Sequence, residues 1–171
     1  MKSFAGELQI EFKIELENSH VIKPEQVCLA AMPRGIMNTE FVFNFSNKGN
    51  TKMQEDLGRS ILSIVEKAPD GMLIFFASYQ MMDKMYELWE DHGIIDQMER
   101  VKSVYKEPKQ SSRFKAIRSN FENDVNKGRG AILMGVCRGK ISEGLDFSDR
   151  AARSVIVVGM PFAQWKDPKV Q

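Results

Sequence analysis

The run Met72-Leu73-Ile74-Phe75-Phe76 decides how this chain folds. Its five consecutive apolar residues lie between the turn formers Pro69-Asp70-Gly71 and the polar Ser78. A run of that length is strand-sized, and unbroken apolar character marks a strand covered on both faces. Outward from it the period becomes helical. Upstream, Leu57, Ile61, Ile64, Val65 and Ala68 recur at helical spacing within residues 53–68. Downstream, Met82, Met85, Leu88 and Trp89 share one side of a helix over residues 79–91, which His92-Gly93 ends. Residues 101–105 form a weaker strand candidate, closed by Glu107-Pro108. Phe114, Ile117, Phe121 and Val125 mark another helix, broken by Gly128 and Gly130. Ala131-Ile132-Leu133-Met134-Gly135-Val136 is a second buried-type strand, and Val155-Ile156-Val157-Val158 a third, stopped by Gly159 and Pro161. Residues 27–32 read as a further short apolar strand, ended by Pro33-Arg34-Gly35. This alternation predicts an α/β domain of three layers, a mainly parallel sheet with helices on both faces. Residues 1–26 fit the repeat less well and read as a lead-in to a domain over residues 27–171. Sheets of this kind bind ligands at the carboxyl ends of their strands. Two segments fall there, Ala77-Ser78-Tyr79 and residues 137–149.

Composition narrows the class. The 171 residues include 24 Lys+Arg and 23 Asp+Glu, a formal net charge of +1, which argues against a histone-like tail or an acidic disordered activator. With 43% hydrophobic and 27% charged residues, the chain suits a single globular core. No apolar run approaches the ~18 residues of a membrane helix, and MKSFAGELQI lacks the apolar stretch of a signal peptide. Cys28 and Cys137 each sit in an apolar run and read as core residues of a reducing compartment. Neither they nor His20 and His92 show metal-ligand spacing. Most methionines read as core filler, and Trp89 as core. Charge is unevenly placed. Acidic residues dominate 53–99, whereas 100–118 carries Arg100, Lys102, Lys106, Lys109, Arg113, Lys115 and Arg118 against Glu107 alone. Solvated helix faces and one face tracking an anionic backbone both account for this.

Residues 137–149, Cys-Arg-Gly-Lys-Ile-Ser-Glu-Gly-Leu-Asp-Phe-Ser-Asp, carry the most chemistry. The preceding Gly135 to Ser142 imitates a phosphate loop, but only three residues separate Gly135 from Gly139, and Ile141 rather than Ser or Thr follows Lys140. A Walker loop needs four, then Ser/Thr directly after the lysine, so this spacing forms no such cradle. Gly139 permits close backbone approach to a phosphate, with Arg138 and Lys140 supplying charge. Gly144 followed by Asp146 suits a nucleotide, the carboxylate accepting a ribose hydroxyl or ordering metal-bound water. A capped helix start followed by a polar loop fits the same spacing.

The segment Val136 to Asp149 resembles motif V of superfamily 2 helicases, in the form used by the xeroderma pigmentosum group D-like iron–sulfur DNA helicases. Phe75-Phe76-Ala77-Ser78-Tyr79 resembles their motif IV, with Ala77 where relatives often have proline. Glu107-Pro108-Lys109 resembles a mid-domain turn, and Val158-Gly159-Met160-Pro161-Phe162 the strand after motif V. Ser3-Phe4-Ala5, Leu16-Glu17-Asn18-Ser19-His20 and Met32-Pro33-Arg34-Gly35 are most similar to the telomere-elongation-regulator branch, with the Fanconi anaemia group J-like branch the near alternative.

The resemblance implies the second RecA-like domain of such a helicase, running from just after motif III to just before motif VI. It implies a nuclear parent that unwinds DNA in repair and telomere maintenance. Ser78 and Tyr79 would meet phosphate and sugar of single-stranded DNA. Arg138, Gly139 and Lys140 would meet the strand early in motif V, with Ser142 beside them. Glu143, Gly144 and Asp146 would face nucleotide. ATP and Mg2+ would be shared with a first RecA-like domain, and a 4Fe-4S cluster would belong to the parent alone. The chain shows neither Walker motif and holds two cysteines where a cluster needs four. It is therefore expected to be inactive by itself, with no catalytic residue and no metal ligand of its own. A non-catalytic fragment that binds nucleic acid or a partner is the alternative. A small α/β enzyme lacks support, having neither a nucleophile–histidine pairing nor a glycine-rich cofactor loop.

Overall fold

Strand β1 (Gly71–Phe76) runs between β3 (Ala131–Val136) and β4 (Ser154–Val158), and β2 (Ser103–Lys106) flanks β3. Every pairing in this four-stranded sheet is parallel, in the order β2-β3-β1-β4. A computed structural model describes residues 22–44, 46–47, 49–139, 141, 147 and 149–160, together with residues 6, 9, 14 and 16.

Side chains along a strand alternate between faces, and β1 shows why its sequence has no polar interruption. Met72, Ile74 and Phe76 join Ile132, Met134 and Val136 of β3 on one face. There they are covered by α1 (Thr51–Val65), α2 (Tyr79–Asp91) and α3 (Ile94–Val101). Leu57, Ile61, Val65, Met82, Met85, Trp89, Ile94, Ile95 and Met98 fill that layer. Leu73 and Leu133 point the other way, against Phe121 and Val125 of α4 (Ser111–Asn126) and against Ile141. The result is the three-layer, RecA-like α/β domain expected of the sequence. The first face is rich in methionine; among the described residues, the cluster on the second contains none.

Local chemistry sets the helix ends. Asn50 caps α1, its Oδ1 accepting the Met53 N–H at 3.1 Å. Gly93, at φ 66°, serves as the N-cap of α3 directly after α2 ends. That eight-residue helix is absent from the sequence reading, being too short to declare a period. Trp89 donates its indole N–H to the Gln54 carbonyl at 2.8 Å. A Cβ on Gly58 would lie only 2.5 Å from that nitrogen, so the α1–α2 contact requires the missing side chain.

Two strand expectations change. Residues 27–32 are all exposed and unpaired, Leu29 to 96%. An apolar run makes a strand only where a neighbour satisfies its backbone and covers its side chains. Cys28 is correspondingly exposed rather than core, and Cys137 is half-buried. Strand β4 is not covered on both faces, since Val155 and Val157 are 54% and 53% exposed. The methionines also divide: Met53, Met72, Met82, Met85, Met98 and Met134 are buried, while Met32, Met37 and Met160 are exposed. The chain forms two units, residues 1–31 and residues 32–171. In the first, Pro24–Gln26 make a single 3-10 turn, with the Lys23 N–H on the Gln26 side-chain oxygen at 2.8 Å.

In the second unit a buried charge organises residues 33–41. Asp56 is fully buried on α1. Its two oxygens accept the Met37 and Thr39 N–H groups, each at 2.9 Å, and Ser60 packs beside them. The Arg34–Glu40 bridge closes the turn above. Desolvation pushes the Asp56 carboxyl up, but the Met37 and Thr39 amides, aided by the Thr39 and Ser60 side chains, outweigh it and hold it below its ordinary 3.8. The stabilisation is therefore fully present above the unfolded value and is lost as pH falls through the lower, folded one. Asp56→Ala should cost about 2–3 kcal/mol at pH 7, with two amides losing a charged acceptor. In urea unfolding at pH 7 and pH 3, the difference between variant and wild type should shrink at the lower pH.

Candidate nucleic-acid interface

The register of the two central strands brings the candidate segments together. Phe76 is paired with Val136, and the Cys137 N–H donates to the Phe76 carbonyl at 2.8 Å. The chain therefore leaves β1 and β3 at one edge, side by side. Ser78 and Tyr79 follow β1; Arg138 and Gly139 follow β3. Lys140, Ser142, Glu143, Gly144 and Asp146 lie outside the described residues.

Ser78 is exposed and has extended backbone, φ −158° and ψ 158°, so its side chain can cap α2. Its Oγ accepts the Met81 N–H at 3.2 Å. Tyr79 begins the helix half-buried, and its hydroxyl donates to Glu107 Oε1 at 2.8 Å. Burial, joined by that carboxylate, pushes the phenol up to about 12. The Tyr79 hydroxyl is thus committed to an internal partner, whereas the Ser78 hydroxyl stands at the surface.

Residues 136–139 form a tight turn, the Gly139 N–H donating to the Val136 carbonyl at 2.9 Å. Arg138, third in the turn, has φ 61° and is exposed. The left-handed region is costly for a side-chain-bearing residue, so the turn presents the guanidinium to solvent under strain. A Cβ on Gly139 would lie 2.8 Å from the Val136 oxygen and about 3 Å from both Glu107 oxygens. Glycine is needed there for internal packing, independently of any phosphate.

Glu107, which the sequence marks only as part of a turn, bonds to both of these segments. It is 2% exposed, at the end of β2, and its Oε2 accepts the Val136 N–H at 2.9 Å. A glutamate before proline in a basic segment carries no local sign of burial. The only sequence signal for it was the family-like Glu107-Pro108-Lys109 turn.

Beside it, Asp83, Lys106, Pro108, Lys109, Gln110 and Arg113 line a cleft of about 320 Å3. Lys109 and Lys106 reach the Asp83 carboxylate at 2.8 and 3.1 Å. Those contacts, Lys109 foremost, hold its carboxyl below the ordinary range against desolvation. The basic run of the sequence is thus partly neutralised by the acidic helix α2. At the other end of the edge, Phe43, Met53, Met81, Met85, Val158 and Met160 help line a cavity of about 180 Å3. Among the described residues no group of three or more His, Cys, Asp or Glu side chains could hold a metal ion. His92 instead meets Glu55, 3.3 Å away.

Residues 61–171 match the helicase C-terminal domain family. The chain belongs to that family. Over 99% of its length it is 37% identical to the regulator of telomere elongation helicase 1 homolog of Drosophila melanogaster. Identity is 38% to that of Drosophila persimilis and 39% to that of Aedes aegypti, over the same share of the chain. The chain spans 17% of the length of each of these relatives. The helicase resemblance read from motif V therefore points to the family that the comparison finds. In this helicase C-terminal domain, Ser78, Tyr79, Arg138 and Gly139 share one sheet edge, with the Tyr79 hydroxyl turned inward onto Glu107.

Arg138→Gly should raise stability by roughly 0.5–1 kcal/mol, relief of left-handed strain exceeding the entropy that glycine adds to the unfolded chain. Urea unfolding at pH 7 measures it; a loss of stability would mean that the arginine stem contributes more than its backbone costs.

Proposed function

We propose that this chain is the second RecA-like motor domain of an ATP-dependent DNA helicase, contributing single-stranded DNA contacts and part of an interdomain ATP site. The observation that carries the reading is the shared edge of the β1 and β3 carboxyl ends, where an exposed helix cap, Ser78, lies beside an exposed cation, Arg138. Backbone amides at a helix start and a nearby guanidinium suit phosphate oxygens. Lys140 and Ser142 extend that contact by motif resemblance. The names of the relatives support a parent that acts on DNA at telomeres, in the nucleus.

Glu143, Gly144 and Asp146 are the proposed nucleotide-facing residues. ATP with Mg2+ supplies the phosphoryl chemistry when bound, shared with a first RecA-like domain as partner. Closure of the two domains on nucleotide and opening after hydrolysis would move them along the strand. The triphosphate grip itself is missing here, because no Walker loop is present in these 171 residues. An iron–sulfur cluster does not fit this chain, whose two cysteines, one exposed and one half-buried, cannot supply four thiolates.

The chain alone should show no ATPase above background, since phosphoryl transfer needs groups from both domains. It should bind oligo-dT weakly and with strong salt dependence, net charge being only +1. Fluorescence anisotropy across a salt series tests this. Arg138→Ala with Lys140→Ala should lower affinity and flatten the log–log salt slope by about 1.4, at ~0.7 per single-strand phosphate contact. An unchanged slope would place the DNA face elsewhere, on the basic segment 100–118.

A further inference from the structure

Glu107 is a buried carboxylate beside the turn after β3, and it bonds to two separate segments, the start of α2 and strand β3. Its own backbone N–H donates to the Met134 carbonyl at 2.8 Å, which fixes the residue against β3. Oε1 takes the hydroxyl of Tyr79, the first residue of α2. Oε2 takes the N–H of Val136, the last residue of β3. Gly139 closes the turn against both oxygens, with no room for a methyl group. Burying a carboxylate is costly unless hydrogen bonds replace water, so these contacts act together rather than singly.

The turn they support contains the strained Arg138. Left-handed backbone at a non-glycine residue persists only where its surroundings over-determine it. Val136, the first residue of the turn, donates its N–H to the Glu107 carboxylate, and Gly139, the last, leaves no space for a side chain beside it. Ser78 caps the helix on which Tyr79 sits, one residue away.

We propose that Glu107 is a positioning residue that couples the start of α2 to the turn after β3, so that the Ser78 and Arg138 segments set one another's geometry. A shift of the helix start draws on the carboxylate through Tyr79, and the carboxylate draws on the turn through Val136. The coupling itself stands on these contacts; its meaning for strand binding rests on the proposed function.

Cys137 lies inside the turn and is half-buried, so its alkylation rate rises when the turn loosens. In a Cys28→Ser background, iodoacetamide should modify Cys137 roughly tenfold faster in Tyr79→Phe and in Glu107→Ala, the scale of one lost net hydrogen bond. Glu107→Gln should stay within about twofold of wild type, because its amide can accept the Val136 N–H and donate to the Tyr79 oxygen. Val125→Ala, which weakens the α4 face without touching the carboxylate, should lower the melting temperature and leave the rate unchanged. Equal rates in Tyr79→Phe and wild type, or an equal rise in Val125→Ala, would overturn the coupling. Oligo-dT should slow the modification in wild type and bind more weakly to Tyr79→Phe. If the wild-type chain binds no oligo-dT, the strand-binding role falls, while the alkylation rates still decide the coupling.

Discussion

Phe76 and Val136 end their strands as partners, and the bond from Cys137 to the Phe76 carbonyl carries the pairing one residue beyond them. Most of what the domain presents to a ligand follows from that register. A parallel pair places both carboxyl ends at one edge, so helix α2 and the turn after β3 begin as neighbours. Burial on both faces keeps the pair in place. A slip of one residue would send Met72, Ile74 and Phe76 to the α4 side and leave methionine-shaped space behind. The surface groups need little further arrangement once the register is set.

Much of this was legible because the signals are local. The uninterrupted apolar character of β1 and β3 announces cover on both sides. The helix expected over residues 79–91 is α2. What escaped reading was non-local. Residues 27–32 look like β1 in composition but meet no partner ladder, and a strand cannot be told from an extended segment without knowing its neighbours. Strand β4, at the edge of the sheet, carries valines outward as well as inward, and a strand's place in the sheet is not written in its own residues. Helix α3 starts at the same glycine that follows α2, so one punctuation mark served two elements.

The site divides along the same line. That Ser78, Tyr79, Arg138 and Gly139 lie at one edge follows from a parallel sheet, which the alternation of strands and helices implies. The inward turn of the Tyr79 hydroxyl follows from Glu107, a partner 28 residues away in the chain. The basic stretch around Lys106 and Lys109 shows the reverse case. Its charge is plain in the sequence, yet Asp83, from the acidic stretch, partly neutralises it. Opposite charge runs that look like separate features form one surface.

The uneven distribution of methionine gives the domain two mechanical sides. Met72, Met82, Met85, Met98 and Met134 lie between the sheet and the helices α1 to α3. Thioether chains have three soft torsions and re-pack without opening large voids. Across the sheet, Leu73, Leu133, Phe121 and Val125 form a stiffer contact in which shape changes are resisted. The helix that carries Ser78 therefore rests on a compliant cushion, while α4 is seated on a firm one. A side chain enlarged by one methylene on the α2 side would therefore be accommodated at lower cost than the same change against α4.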